Sequence, residues 1–197
     1  RRAGLLPTTV SFSTAVSSCA RAGKADEALA LLGRMKSGGV PRTLVTFNAA
    51  LLACAKGGKR EEALGILAEM KDDGVSPNEK TFRLVIQACG RAGDAAGALA
   101  VLRGMSKMGI TPGEHAIAPT MEVFAQVGDV DQVLSLMKEA RASATAAGHG
   151  RPYRSCVLVA AKACASAGRA ADAVELLRGL PDDDDQQLPA AARGGGG

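Results

Sequence analysis

The sequence predicts an all-α fold, an α-solenoid of stacked helical hairpins, and three observations lead to this expectation. The 197 residues are rich in alanine and contain no Trp, one Tyr and four Phe, a composition that favours closely packed helices over strands. Apolar triplets with helical spacing recur every 35 residues, and glycines recur between them at the same interval. Because one hairpin cannot bury its apolar face alone, such units must stack into a continuous array.

The first helix of each unit is predicted from three apolar residues spaced i, i+4 and i+7, which places them on one helical face. The triplets are Phe12-Val16-Cys19, Phe47-Leu51-Cys54, Phe82-Ile86-Cys89 and Ile117-Met121-Phe124. A glycine follows each triplet and ends the helix: Gly23, Gly58, Gly93 and Gly128. The sequence therefore predicts four equivalent first helices.

The second helix of each unit is predicted from the same spacing. Its triplets are Ala28-Leu32-Met35, Ala63-Leu67-Met70, Ala98-Leu102-Met105 and Val133-Met137-Ala140. Alanine at the start of three of them lets the paired helices approach closely. In the second unit Gly74 and Pro77 end the helix, since glycine adopts a left-handed cap and proline cannot continue. A fifth copy follows after a slip of five residues, with Gly168, Ala173 and Leu180.

These patterns divide the chain into seven segments. We expect the end of a truncated upstream repeat at 1–8, repeats at 9–43, 44–78 and 79–113, a degenerate repeat with an extended linker at 114–153, a second degenerate repeat at 154–181, and a disordered acidic and glycine-rich tail at 182–197. The stretch 142–150 either extends the second helix of its unit or forms a loop. Gly4–Pro7 matches the linker Gly74–Pro77, so the sequence is expected to begin inside a longer array.

Several classes of function find no support in the sequence. No run of 18 apolar residues is present, so no membrane-spanning segment is expected. No phosphate-binding loop, nucleophile elbow or metal-hydrolase motif occurs, and we expect a segment that is not an enzyme and needs no metal or cofactor. The net charge of the whole chain is +4, and residues 1–181 carry +7 from 23 basic and 16 acidic side chains. This balance suits a polyanionic partner.

The five cysteines are interpreted as packing residues. Cys19, Cys54, Cys89 and Cys164 occupy the same position in four units, on the face that carries the apolar triplets. Equivalent positions in adjacent hairpins are about 10 Å apart, too far for a disulfide or a shared zinc ion. No Cys-x-x-Cys spacing occurs. The pattern therefore indicates buried thiols and a reducing compartment.

The 35-residue unit resembles the pentatricopeptide repeat (PPR). The resemblance rests on Phe47-Asn48 near the start of the second unit, Gly58 followed by Glu62-Ala63-Leu64 in its middle, and Met70 to Asn78 at its end. It implies a right-handed superhelix that binds single-stranded RNA, one nucleotide per repeat. It also implies a role in RNA processing, stability or translation in a mitochondrion or chloroplast.

The resemblance further implies which residues contact RNA. The base-reading pairs would be Ser13 with Thr43, Asn48 with Asn78, and Arg83 with Gly113. The base-flanking residues would be Val10, Val45 and Lys80, and the phosphate-contacting residues would be Arg21, Lys56 and Arg91. By the family's pattern, Asn48 with Asn78 favours a pyrimidine, cytosine before uracil. Asparagine both donates and accepts hydrogen bonds, so it can engage the Watson–Crick edge of an unstacked base.

Three alternatives stay open at the level of sequence. The asparagines lie near predicted helix starts, where asparagine is also a good capping residue, and the basic row also fits a solvated helix face. A second alternative is a protein-interaction scaffold, in which a protein partner binds the degenerate C-terminal repeats. A third is the RNA-positioning part of a nuclease, like the family's protein-only ribonuclease P members, which requires a metal-dependent domain elsewhere.

Overall fold

The computed structural model describes residues 8–146 and 153–178, and these residues form ten α-helices. The helices are α1 (Thr9–Arg21), α2 (Ala25–Ser37), α3 (Leu44–Gly57), α4 (Arg60–Asp72), α5 (Glu79–Arg91), α6 (Ala95–Lys107), α7 (Glu114–Gln126), α8 (Val130–Ala146), α9 (Arg154–Ser166) and α10 (Ala170–Arg178). The described residues contain no strand. The predicted tail, Leu180 and nearly all of 1–8 lie outside the described residues. Within 142–150, α8 continues to Ala146, so the first part of this stretch extends the helix.

The helices form five hairpins arranged in two layers. The odd-numbered helices pack side by side in chain order, α1 against α3, α3 against α5, α5 against α7 and α7 against α9. The helices α2, α4, α6 and α8 each pack against the odd-numbered helix before them and the one after them. We call the outer surface of α1, α3, α5, α7 and α9 the first-helix face. Equivalent residues 35 apart therefore lie on neighbouring helices of this face.

The core lies between the two layers and follows the repeat. Phe47, Leu51 and Cys54 are fully buried, as the first-helix triplet predicts. The prediction for the second helix is wrong at one residue, because Leu67 is only half-buried and Ile66 belongs to the core instead. Positions i+3 and i+4 lie on the same side of a helix, so spacing alone does not decide between these two residues.

The ends of the helices are fixed by residues with suitable backbone and side-chain chemistry. Gly58, which follows α3, has a φ of 64°, in the left-handed region that glycine adopts without strain. Thr43 and Asn78 precede α3 and α5, and each side chain accepts the backbone N–H of the third helical residue, Thr46 or Thr81. Both helix starts form capping boxes, because the threonine hydroxyl in turn accepts the backbone N–H of the capping residue.

Ion pairs connect neighbouring units at the hairpin turns. The pairs are Lys59 with Asp26 (2.6 Å), Arg60 with Asp94 (2.8 Å) and Arg169 with Asp131 (2.8 Å). The Asp94 carboxylate also accepts the backbone N–H of Gly97 at the start of α6. The Gly97 hydrogen bond and the Arg60 guanidinium together hold the pKa of Asp94 below its ordinary value. These contacts fix the register of adjacent hairpins along this edge.

Arg42 is a buried cation in the linker before α3. Its guanidinium donates two hydrogen bonds to the Asp73 carboxylate, at 2.7 and 2.8 Å, and a third to Glu69. The Arg42 side chain is 2% exposed, and its Cζ atom lies 5.0 Å from the centre of the Phe47 ring. The hydrogen bonds from Arg42 lower the pKa of Asp73. Arg42, at the end of the unit 9–43, therefore ties the start of α3 to the end of α4 in the following unit.

Candidate nucleic-acid interface

A depression of about 470 Å³ opens on the first-helix face between α1, α3 and α5. Five residues for which the sequence predicts RNA contact line it together: Arg21, Val45, Asn48, Asn78 and Lys80. They lie on or next to three successive odd-numbered helices, and the side-by-side packing of those helices brings them together. The structure therefore places one predicted base-reading pair, two base-flanking residues and one phosphate-contacting residue around a single space.

Asn48 and Asn78 are joined through a third residue, Thr81. The Thr81 hydroxyl oxygen lies 2.8 Å from Asn48 Oδ1 and 2.9 Å from Asn78 Oδ1. Asn78 is the N-cap of α5, whereas Asn48 lies one turn inside α3 and caps no helix. The capping alternative therefore holds for Asn78 and not for Asn48.

The pair Ser13 and Thr43 has the same arrangement one unit earlier. The Thr46 hydroxyl oxygen lies 3.1 Å from Ser13 Oγ and 3.0 Å from Thr43 Oγ1. Neither member of this pair lines the depression beside Asn48. Thr46 and Thr81 escaped prediction, although their 35-residue spacing at the third position of the first helix was a visible signal.

The third predicted pair, Arg83 and Gly113, has no such bridge. Ala116 occupies the position equivalent to Thr81 and is fully buried, without a hydroxyl group. Gly113 caps α7 and offers no side chain to a base. Arg83 is half-buried on α5 and lies outside the depression that holds Asn48. The structure therefore does not bring this pair together around a shared polar group.

The predicted base-flanking residues expose unusual surface. Val10 on α1 is 73% exposed and Val45 on α3 is 65% exposed. Lys80, the equivalent residue on α5, is also exposed. Exposed aliphatic surface suits the flat face of a nucleobase, and the stem of a lysine supplies similar surface below its charged end. All three residues are therefore available to an RNA strand on the first-helix face.

The predicted phosphate-contacting residues form a basic row at the ends of α1, α3 and α5. Lys56 Nζ donates a hydrogen bond to the backbone carbonyl of Arg21 at 2.8 Å, and Arg91 Nη1 donates to that of Lys56 at 3.0 Å. Each bond satisfies a carbonyl that the end of a helix leaves free. Lysine and arginine have several N–H donors, so each side chain keeps donors for a phosphate group after making this bond. The basic row therefore connects the ends of neighbouring helices in addition to carrying positive charge.

The basic row of the first-helix face ends at α5. A second depression, of about 400 Å³, opens between α3, α5 and α7, and Lys56 and Arg91 line it together with the carboxylate residue Glu122. The residues equivalent to Arg91 in the next two units are Gln126 and Ser166, which carry no charge. The row of equivalent cations is thus confined to the half of the face that holds Asn48, and Lys162 on α9 lies apart from it in a depression between α7 and α9.

Comparison with known proteins identifies the repeat. The family model described as the pentacotripeptide-repeat region of PRORP matches residues 2–182, nearly the whole chain. The chain belongs to the pentatricopeptide repeat family. The resemblance seen in the sequence is therefore confirmed. A comparison with curated proteins gave no match.

Solved PPR structures share the fold. The PPR domain of Arabidopsis thaliana protein-only RNase P 1, in complex with tRNA, is 22% identical, with a TM-score of 0.70 and 94% of each chain covered. The PPR protein PPR10 from maize is 28% identical, with a TM-score of 0.69, covering 89% of this chain and 24% of that one. PPR10 in complex with an 18-nt psaJ RNA element matches with a TM-score of 0.58 and 22% identity, over 95% and 30% of the two chains. The chain thus spans about a quarter of the PPR10 chain, and the predicted all-α repeat solenoid is confirmed.

The described part of this PPR chain contains no arrangement of three or more His, Cys, Asp or Glu side chains that could hold a metal ion. Nor is any of its described helices both long and apolar enough to cross a bilayer. All five cysteines are free thiols, four of them buried, while Cys19 is half-buried. Burial raises the pKa of Cys54 to about 11 and that of Cys156 to about 12.

These thiols should differ sharply in reactivity. We expect a colorimetric disulfide reagent at pH 8 to react quickly with one thiol, Cys19, and with the other four only after denaturation. Inaccessible thiols that stay protonated are poor nucleophiles. Cys19→Ser should remove the fast phase and leave the total after denaturation lower by one. Fast reaction of two or more thiols in the native chain would contradict the burial described above.

Proposed function

We propose that this chain binds single-stranded RNA along the first-helix face and takes part in RNA processing, stability or translation. The observation that carries the proposal is the depression in which Val45, Asn48, Asn78, Lys80 and Arg21 meet. It combines aliphatic surface, amide groups and a cation within reach of one another. Aromatic base, base edge and phosphate are the three parts of a nucleotide that such groups recognise.

The binding mechanism follows from the placement of these groups. An unstacked base enters the depression with its faces against Val45 and the aliphatic stem of Lys80, and its edge meets the Asn48 amide. Arg21 neutralises the adjacent phosphate, and release of counterions contributes to affinity. The depression is preformed by helix packing, and the proposed mechanism consists of binding alone, without a catalytic step. Bound RNA would be shielded from nucleases or held in a single-stranded form.

Two further properties are proposed on the family resemblance. Two similar structures are complexes with RNA, one with a tRNA and one with an 18-nt psaJ RNA element, and this supports RNA as the ligand here. A mitochondrion or chloroplast is the proposed location. The base-reading positions of the later units, Ala118 and the 46% exposed Leu158, lack hydrogen-bonding side chains. A protein partner at α7 and α9 is therefore proposed for that end.

A second candidate function is favoured by the family model, whose description refers to PRORP. In this case the chain would be the RNA-positioning region of a larger nuclease, and catalysis would belong to residues outside the repeats. The two candidates differ in their preferred RNA. Tighter binding of a folded precursor tRNA than of an unstructured RNA of equal length would favour the second candidate, and the reverse order would favour the first.

The test of the proposed function is fluorescence-anisotropy titration with ten-nucleotide oligo(C), oligo(U) and oligo(A) at fixed salt. We expect the wild-type chain to bind the pyrimidine oligonucleotides roughly 5- to 10-fold more tightly than oligo(A), the effect of one or two hydrogen bonds. Asn48→Ala should bind all three with similar affinity, because the amide proposed to meet the base edge is removed.

The matched control for Asn48→Ala is Arg83→Ala, one unit further along. Arg83 lies at the same position of its repeat but outside the depression, so its loss should weaken binding to all three oligonucleotides alike. No measurable binding of any oligonucleotide by the wild-type chain at low salt would reject RNA binding and favour the protein scaffold.

A further inference from the structure

The hydroxyl group of Thr81 stands between the two members of the best reading pair, although Thr81 belongs to the next repeat. It is fully buried. Its oxygen accepts the backbone N–H of Asn78 at 3.1 Å and lies within hydrogen-bond distance of Asn48 Oδ1 and Asn78 Oδ1, at 2.8 and 2.9 Å. A hydroxyl has one hydrogen, so it donates to one of these two oxygens at a time. Both amide oxygens therefore face the same buried donor.

This contact decides which end of the Asn48 amide meets the depression. The oxygen is turned toward Thr81, inside the protein. Every buried side-chain nitrogen or oxygen among the described residues has a hydrogen-bond partner. No described residue accepts a hydrogen bond from the Asn48 amide nitrogen, so this nitrogen is not fully buried, although Asn48 as a whole is only 8% exposed. Asn48 lines the depression, and the group it presents there is an N–H₂ donor.

We propose that Thr81 is a positioning residue for base selection: it holds Asn48 as a hydrogen-bond donor toward the RNA base in the preceding repeat. The inference rests on the proposed RNA binding and names the chemistry of its selectivity. A pair of N–H donors matches a base edge with adjacent acceptors. Cytosine has this pattern in O2 and N3, whereas the adenine edge places an N–H₂ donor beside its single ring acceptor. Without the Thr81 hydroxyl, the amide is free to rotate, and it then offers donor or acceptor with little preference.

The other units support the assignment within the same molecule. Where the preceding reader is Ser13, the equivalent residue is Thr46, and the two hydroxyl oxygens lie 3.1 Å apart. Where the preceding base-reading residue is Arg83, whose guanidinium cannot accept a hydrogen bond, the residue equivalent to Thr81 is Ala116. A threonine hydroxyl is thus present beside the small polar base-reading residues Ser13 and Asn48 and absent beside the charged residue Arg83. Ala116 also shows that this position folds normally without a hydroxyl group.

The experiment compares Thr81→Val, which removes the hydroxyl at constant size, with Thr81→Ser, which keeps it. Anisotropy titrations with ten-nucleotide oligo(C) and oligo(A) at one salt concentration give the Kd for oligo(A) divided by the Kd for oligo(C). We expect this ratio to fall about fivefold in Thr81→Val, the effect of one lost hydrogen bond, and to stay within about twofold of wild type in Thr81→Ser. The salt dependence of binding should be unchanged in both, since no phosphate contact is altered.

The matched control is Thr120→Val, which removes an equally buried threonine hydroxyl from α7, where it donates to the Ala116 carbonyl, and leaves Thr81 and Asn48 in place. In this variant the Kd for oligo(A) divided by the Kd for oligo(C) should stay within about twofold of the wild-type value. Thermal unfolding followed by circular dichroism shows which variants are folded, and Thr81→Ala replaces Thr81→Val if the latter is not.

Three outcomes would overturn the inference. A Thr81→Val ratio equal to that of wild type would show that Asn48 selects bases unaided, while the proposed RNA binding would stand. An equal loss of selectivity in Thr120→Val would show general loosening of the odd-numbered helices in place of positioning. A wild-type chain that binds neither oligonucleotide would remove both the inference and the proposed function.

Discussion

Replacement of Arg42 by alanine should lower the free energy of unfolding by about 2–3 kcal/mol. The variant leaves the Asp73 and Glu69 carboxylates beside an empty site and removes the cation from the face of the Phe47 ring. Loss of one partner from a fully buried ion pair costs about 3–5 kcal/mol, and the smaller figure applies here because both carboxylates keep some contact with water. Urea denaturation followed by circular dichroism measures the difference.

The control for Arg42→Ala is Arg34→Ala. Arg34 also lies over the ring of a first-helix phenylalanine, with Cζ 5.9 Å from the centre of Phe12, but it is exposed. We expect Arg34→Ala to change stability by less than about 0.5 kcal/mol, as surface substitutions usually do. Equal effects of the two variants would contradict the importance assigned to the buried ion pair.

The effect of Arg42→Ala should also depend on pH in one direction. Arg42 lowers the pKa of Asp73 in the folded chain, so the contribution of this pair is complete above the unfolded pKa of about 3.9 and is lost as the pH falls through the lower folded value. The difference in stability between wild type and Arg42→Ala should therefore be constant from pH 8 to pH 5 and shrink below pH 4. A difference that grows on acidification would contradict the pairing.

The largest effect on RNA binding is expected from removal of the basic row. In the triple variant Arg21→Ala, Lys56→Ala and Arg91→Ala, the slope of log affinity against log salt should flatten by about 2, since each lost phosphate contact removes about 0.7 on single strands. At 0.1 M salt this corresponds to a loss of roughly 100-fold in affinity. Anisotropy titration with oligo(C) from 0.05 to 0.3 M salt measures both quantities.

A second triple variant provides the control for charge alone. Lys36, Lys71 and Lys107 are exposed residues at the ends of α2, α4 and α6, in the other layer of the solenoid. Their replacement by alanine changes the net charge by the same amount but should leave the salt slope nearly unchanged. A similar flattening in both triple variants would mean that overall charge, and not the first-helix face, attracts RNA.

The hairpins and their buried faces were predictable from sequence because both depend on local spacing. The triplet that contains Phe47 defines a helical face within eight residues, and the 35-residue period repeats it. Contacts between side chains from different units were not predictable in this way. The Thr81 bridge to Asn48 and the ion pair of Arg42 with Asp73 join residues 33 and 31 positions apart, and their geometry depends on how the helices pack. The basic row was visible in the sequence, whereas its bonds to backbone carbonyls were not.

Lys56 and Arg91 each bind a backbone carbonyl of the preceding odd-numbered helix, so these contacts form in a fixed order during synthesis. During synthesis the N-terminal end of the chain leaves the ribosome first, so the carbonyl of Arg21 emerges 35 residues before the lysine that covers it. The same interval separates the carbonyl of Lys56 from Arg91. A newly made hairpin therefore lacks one of its closing contacts until its successor has been translated. Completion of this contact follows translation of the hairpin with a delay of one repeat.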